Sequence, residues 1–454
     1  MRVLLVSANR LQFPYPVYPI GLDHVAAAIS PPHEVRILDL CPVEAVETAA
    51  AIARAVREFQ PGAVGLSIRN VDNSDHTGVD GFVGEMREAV AAVRAATSAP
   101  LVLGGAGFTL YAAELMAALA PDYGLVGGGE RARALFDALA AGASPEGFPG
   151  VAIPGRVPPR PEPLHDRARA WRAAPTENPA LEFYLRRGGI LNIQTRRGCA
   201  FRCVYCSYPV IEGRASRCTP PDDAAAEAKR LEAAGARYLF VTDSVFNGDP
   251  EHALAVADAF RRARVGVPWS AYFAPLAPPP SFYERIAAAG CTHVEFGTEA
   301  LSPEMLRRMR KGFSVEDVFA AHEAARNAGL HVAHFLLLGG PDETAATVDE
   351  TLEVAERLSG AVLFFFCGMR IHPGTELETI ARKAGQLAPG DSLLAPTFYE
   401  PPAISLATIA ARVERHAAGR PSWVVGSGSD RSAALIARLY ERGHAGPLWE
   451  QLVA

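Results

Sequence analysis

The chain has 454 residues, 49% of them hydrophobic and 21% charged, with a formal net charge of −6. That length exceeds one ordinary domain, and a pI near 6.1 argues against a general nucleic-acid surface. No apolar run reaches membrane-spanning length, the N-terminus lacks a secretory pattern, and the seven cysteines include a cluster of three, so a reducing, cytoplasmic setting is expected.

Residues 1–150 alternate short apolar strands, near 3–7, 34–38, 63–68, 101–104 and 123–126, with helical stretches near 22–28, 45–57, 82–96 and 112–119. This alternation predicts a Rossmann-like, doubly wound α/β domain. Ligands of such sheets bind at the carboxyl ends of the strands. The candidates there are Asn9 and Arg10 after the first strand, and Ser67, Arg69, Asn70, Asp72 and Asn73 after the third. Gly104, Gly105, Ala106 and Gly107 follow the fourth strand, and Gly127, Gly128, Gly129 and Glu130 follow the fifth. Glycines at these ends let backbone approach a large ligand.

Residues 151–188 are rich in Pro and Arg and read as a surface linker. A second series occupies 189–390, with strands near 190–194, 238–242, 269–273, 293–296, 331–337 and 362–366 and helices between them. After residue 390 the pattern loosens, and 391–454 read as a small helical region.

Cys199, Cys203 and Cys206 stand in C-x3-C-x2-C spacing. Three thiolates so placed can hold three irons of a cubane cluster and leave the fourth iron open to a small molecule. A zinc knuckle or three unconnected thiols are the alternatives. Zinc usually takes a fourth Cys or His at a matching spacing, and Cys218 lies too far along to supply it. Cys291 and Cys367 are single, so a second cluster is not expected.

With Tyr205 just before the third cysteine, this run resembles the signature of the radical S-adenosylmethionine (SAM) enzymes. The resemblance implies a partial (β/α)6 barrel and a [4Fe–4S] cluster whose open iron takes the amino and carboxylate groups of SAM. Reductive cleavage would then yield a 5′-deoxyadenosyl radical, with electrons from an external donor such as a flavodoxin or ferredoxin. It also implies roles at the strand ends. Asp243 and Ser244 stand where relatives contact the methionine amino group. Glu299 is suited to the ribose hydroxyls and Lys311 to the methionine carboxylate, while Arg370 follows the sixth strand. For each of these the alternative is a helix cap or a turn.

The first domain resembles the cobalamin-binding domain that precedes many radical SAM domains. The resemblance rests on residues 68–73, 103–109 and 124–130. Many such domains carry D-x-H-x-x-G after the first strand, whose His ligates cobalt. Here that loop reads Ala8-Asn-Arg-Leu-Gln-Phe13, without His. His76 follows the third strand at the wrong spacing and His24 falls inside a helix, so cobalamin without a protein His ligand is expected. A nucleotide site is the alternative, although Gly104-Gly-Ala-Gly107 does not match the dinucleotide fingerprint.

Together these resemblances imply a cobalamin-dependent radical SAM enzyme. The commonest activity is methyl transfer from SAM through cobalamin to an unactivated carbon of a small-molecule or lipid-like substrate. A cyclase or rearrangement enzyme, or a corrinoid-binding sensor, are the other readings. No catalytic acid or base stands out. The stretch 393–402, with 364–366, could line an apolar pocket.

Overall fold

The computed structural model describes residues 1–162, 178–426 and 430–453. They form two compact units. The first comprises Met1–Asn73, Gly81–Tyr184 and Ser392–Ala395, and the second Ser74–Asp80, Leu185–Asp391 and Pro396–Ala454. No described helix is long and apolar enough to cross a membrane.

The first unit is built on strands β1 (Arg2–Ser7), β2 (Glu34–Asp39), β3 (Ala63–Ser67), β4 (Leu101–Gly104), β5 (Tyr123–Leu125) and β6 (Val151–Ala152). They lie in the order β2-β1-β3-β4-β5-β6. The first five are parallel, and β6 pairs antiparallel to β5. Side chains alternate across a strand. Val3 and Leu5 therefore join Leu22, Ala26, Ile29, Leu135 and Phe136 in one core, while the buried Leu4 and Val6 serve the opposite face. A sheet covered on both faces needs near-continuous apolar strands, which Val-Leu-Leu-Val supplies. Helix Thr48–Phe59 buries Ala51, Ile52, Ala55, Val56 and Phe59, an amphipathic stripe at helical spacing. It ends on Gln60, whose left-handed backbone breaks the helix.

The expected linker has more core than its composition suggests. Val151 and Ala152 are a buried edge strand, and Leu181 and Tyr184 of helix Leu181–Arg186 are buried. Tyr184 donates to Asp39 at 2.7 Å. Residues 163–177 of that stretch lie outside the described residues.

The second unit carries β7 (Ile190–Ile193), the short antiparallel pair β8 (Arg196–Arg197) and β9 (Arg217–Cys218), then β10 (Tyr238–Val241), β11 (Trp269–Phe273), β12 (Cys291–Glu299), β13 (His331–Leu338), β14 (Val362–Cys367) and β15 (Trp423–Val425). Seven of them form one parallel sheet in the order β15-β14-β13-β12-β11-β10-β7. The six expected barrel strands are all present. The tail read as helical adds a seventh, β15, between helices Leu406–Ala417 and Asp430–Glu441. The turn Trp449–Leu452 packs Trp449 against Ala333, Val362 and Val424, with Phe335 and Phe364 alongside.

Candidate functional site

In the first unit every predicted site residue falls at the carboxyl edge of the parallel sheet. The order β2-β1-β3 reverses direction between β1 and β3, the switch point where such sheets hold ligands. The backbone there is tightly specified. Gly105 has φ of +101°, and a Cβ on it would sit 2.4 Å from the Ile68 carbonyl oxygen; one on Gly107 would sit 3.0 Å from that of Arg69. The Gly107 amide donates to Ile68 at 3.0 Å, so the loop after β3 and the start of helix Ala106–Leu110 are in backbone contact. The Gly127 amide is held by Thr109 Oγ1 at 3.0 Å.

Not every candidate in this unit faces outward. The Arg10 guanidinium donates to Thr48 Oγ1 at 2.8 Å and to the Val43 carbonyl, so it braces its own loop. Asp72 is buried and bridges Gly81 through the backbone. The Glu130 carboxylate folds over Gly128, where a Cβ would lie 2.2 Å from Oε2. Asn70 keeps a buried Oδ1 without a hydrogen-bond partner among the described residues, an acceptor at the strand end that suits a ligand rich in amides. With the close-approach glycines, it fits a cobalamin cradle. His24 lies in helix Ile20–Ile29. His76 belongs with the second unit, where its ring stands edge-on to Phe398 at 5.1 Å.

In the second unit the cysteine loop connects β8 to helix Tyr208–Glu212. Gly198 enters it at φ +83°, and a Cβ there would lie 2.1 Å from the Ala215 carbonyl oxygen. The Cys199 amide donates to the Gly213 carbonyl, the Cys206 amide to that of Cys203, and the Val204 amide to that of Met309. Cys199 is buried and Cys203 and Cys206 are half-buried. Burial pushes the Cys206 thiol up to about 12, so loading a metal there must release a proton. Among the described residues no three Cys, His, Asp or Glu side chains converge on a single ion. A cubane does not ask them to, since each thiolate takes a different iron.

Lys311 and Glu299 meet beside the cysteines. The ammonium lies 3.3 Å from Glu299 Oε1 and donates to the Tyr205 hydroxyl at 3.2 Å. It also sits over the rings of Tyr205 and Phe313, 5.7 and 5.3 Å from their centroids. Burial alone would lower the Lys311 pKa, but Glu299 and the thiols of Cys203 and Cys206 hold it above the ordinary value. Lys311 is not on a helix; it occupies the turn before helix Val315–Asn327, which starts with a capping box from Ser314 and Asp317.

Glu299 ends β12 at φ +65°, where the β12–β13 register slips between Gly297 and Glu299. A positive φ is uncommon for a non-glycine residue, and such outliers persist only where the surroundings fix them. Behind it, Thr298 Oγ1 pairs with His334 Nδ1 at 2.8 Å, and His334 Nε2 with His322 at 3.1 Å. Burial keeps the His334 pKa well below the ordinary value, so this chain is neutral and clamps the strand end from the outer face.

Two candidates have other work. Asp243 accepts from the Thr195 amide at 2.7 Å, Thr195 Oγ1 at 2.5 Å and the Arg196 amide at 2.9 Å. Its carboxylate thus holds the loop that leads to the cysteines. The buried Arg370 donates to the Ile371 carbonyl at 2.7 Å and that of Thr397 at 3.2 Å, which fastens its own loop to 397–399. Ser244 is half-buried just past β10. Cys291 and Cys367 are buried and Cys218 is exposed.

The inner face of the sheet supplies residues that sequence reasoning missed. Along β12 the polar residues His293, Glu295 and Glu299 alternate with the apolar Val294 and Phe296, a visible period of two. His293 pairs with Tyr238 at 2.8 Å and Glu450 at 3.0 Å. Glu295 accepts from Trp449 Nε1 at 3.2 Å, and burial pushes its carboxyl up to about 7. Above them the face is open. Tyr272, mid-strand in β11, is 42% exposed, and Phe335, Phe364 and Phe366 are half-buried. Phe335 stacks on Phe364 at 4.8 Å and 10°.

Known proteins agree with this geometry. The B12 binding domain model matches residues 6–136 and the radical SAM superfamily model residues 193–355. Tryptophan 2-C-methyltransferase of Streptomyces laurentii is 26% identical over 439 residues, covering 82% of this chain and 73% of that protein. An uncharacterized methyltransferase of Pyrococcus horikoshii is 26% identical over 373 residues, 79% of this chain and 77% of its own length. The structure of the radical SAM methyltransferase TsrM from Kitasatospora setae, with cobalamin and a [4Fe-4S] cluster bound, aligns with a TM-score of 0.86 at 25% identity, covering 99% of this chain and 97% of that one.

Proposed function

This chain belongs to the cobalamin-dependent radical SAM methyltransferases, and from that premise we propose that its methyl acceptor is a carbon of a small aromatic molecule. The observation that carries the reading is the open aromatic inner face of the second unit. Tyr272 is 42% exposed in the middle of a buried strand, with Phe335 edge-on to it at 6.3 Å and stacked on Phe364. Such a wall suits a flat ring, which gains from offset and edge-on contacts beyond area burial alone. A lipid tail gains nothing from Glu295 or His293 on the same face. The relative from Streptomyces laurentii is named for methylation of tryptophan, which supports an aromatic acceptor.

The chain's own residues set the stage. Cys199, Cys203 and Cys206 would hold the cluster, and the glycine-rich strand ends of the first unit would cradle cobalamin. Bound there, the cluster, SAM and cobalamin supply the methyl group and the redox chemistry. Lys311 offers a cation to the methionine carboxylate, and Glu299 offers acceptors to the ribose hydroxyls. A low-potential protein such as a flavodoxin or ferredoxin would deliver electrons.

The test incubates reconstituted, reduced protein with SAM and a panel of aromatic amino acids, tryptophan included, beside fatty acids and hopanoid lipids. The expected result is one methyl group added to an aromatic member, with one S-adenosylhomocysteine per product. 5′-Deoxyadenosine appearing in step shows a radical route, and its absence a polar one. Methylation confined to the lipids, or 5′-deoxyadenosine without S-adenosylhomocysteine, would overturn the reading.

A further inference from the structure

We infer that Glu295 selects the methyl acceptor by taking a hydrogen bond from an N–H or O–H carried on its ring. The inference rests on the aromatic-acceptor reading above and adds a polar handle to it.

The sheet register places Glu295 on the inner face of β12, opposite the exposed Tyr272 of β11 and Ala333 of β13. One step up the same face is Gly297, which has no side chain, and beyond it Glu299. The space above Glu295 is therefore bounded by aromatic rings and left clear by its nearest inward neighbours on β12 and β13. Of the three polar side chains on this face of β12, two are committed. His293 uses one ring nitrogen with Tyr238 and Thr292 and the other with Glu450. Glu299 is held by Lys311.

Glu295 differs. Oε1 accepts from Trp449 at 3.2 Å, while Oε2 has no hydrogen-bond partner among the described residues. The residue keeps only 3% of its surface accessible, and Oε2 is not fully enclosed, so a narrow opening reaches it. A carboxylate oxygen at so narrow an opening, bounded by aromatic rings, gains from a ligand N–H or O–H that replaces water there. A site built this way discriminates strongly against a ring of the same shape that lacks the donor. The Trp449 bond occupies Oε1.

The experiment titrates the reconstituted full-length protein with two matched pairs of probes, indole against benzothiophene and phenol against fluorobenzene. Each pair shares shape and differs in the donor hydrogen. In the wild type the donor-bearing member should bind about ten-fold tighter or more. In Glu295→Gln, which keeps an acceptor for Trp449 and turns an amide N–H toward the ring, the ratio should fall to about one. Glu295→Ala should do the same, and if loss of the Trp449 partner unfolds that variant, Glu295→Gln decides. Equal affinities within both pairs in the wild type, or an unchanged ratio in a folded Glu295→Gln, would overturn the assignment. If no probe of either pair binds the wild type, the aromatic-acceptor reading itself fails, and Glu295 with it.

Discussion

Asp243 shows how a carboxylate can matter to a site by holding the loop that leads to it. It gathers three donors from Thr195 and Arg196, about fifty positions earlier in the chain, and so fixes the approach to Cys199. Burial raises its pKa from 3.8 to about 6. The folded state therefore holds the Asp243 proton more tightly than the unfolded chain does. The stability this proton contributes is full below pH 4, declines between pH 4 and 6, and is gone above, a change of roughly 3 kcal/mol. Asp243→Asn removes that slope and also loses an acceptor. The variant should melt below the wild type at pH 4, and the gap should narrow as pH rises to 6.5. A constant gap in melting temperature across that range would refute the titration. The sequence shows Asp243 at a strand end, where a ligand contact is a fair expectation. It cannot show that the segment after β7 brings Thr195 and Arg196 to the same point, because that contact is made by the fold.

At the scale of elements, the strongest periodic signals translate directly into structure. The apolar runs of β1, β3, β10 and β13 are long enough to name from pattern alone. The three residues of β15 are not, since Trp-Val-Val carries no period, and the strand exists because β14 offers an unpaired edge. The turn Trp449–Leu452 is equally silent in the sequence. Yet it closes the lower end of the inner face, where Trp449 packs on Ala333, Val362 and Val424 and binds Glu295. Trp449→Ala should cost about 3–5 kcal/mol, as large-to-small core changes of this size do, and lower the melting temperature by about 10 °C. Calorimetry checks this; a shift below about 2 °C would mean the turn is not part of the folded core.

At the scale of the molecule, the chain keeps its two binding tasks in two separately packed units. Strand–helix alternation and the cysteine spacing made that division legible, because both are local. The roles of Arg10, Asp243 and Arg370 were not, because each depends on a partner distant in sequence. One prediction follows from the local geometry of two glycines. Gly198→Ala puts a Cβ 2.1 Å from the Ala215 carbonyl oxygen, and Gly105→Ala puts one 2.4 Å from that of Ile68. Left-handed backbone adds about 1–2 kcal/mol of strain for any side chain. Gly198→Ala should lose most of the about four irons of one cubane and keep cobalamin. Gly105→Ala should weaken cobalamin uptake about ten-fold and keep the iron. Iron analysis and the cobalamin absorbance of the same purified samples decide it, and loss of both cofactors in either variant would count against separate tasks.

Gly297 gives the enzyme a place to change its diet. A Cβ there would meet the Phe273 carbonyl oxygen at 3.9 Å, an ordinary contact, and Glu299 Oε1 at 3.2 Å, a tight one that the Glu299 side chain must yield to. A methyl or an isopropyl group at this position would shorten the room between Glu295 and Glu299 while leaving the cysteine loop untouched. Relatives of this chain could therefore trade large rings for small ones by a single codon, at the expense of a shift in the Glu299 carboxylate. The acceptor a given homologue takes should then be written in the bulk of one residue midway along β12.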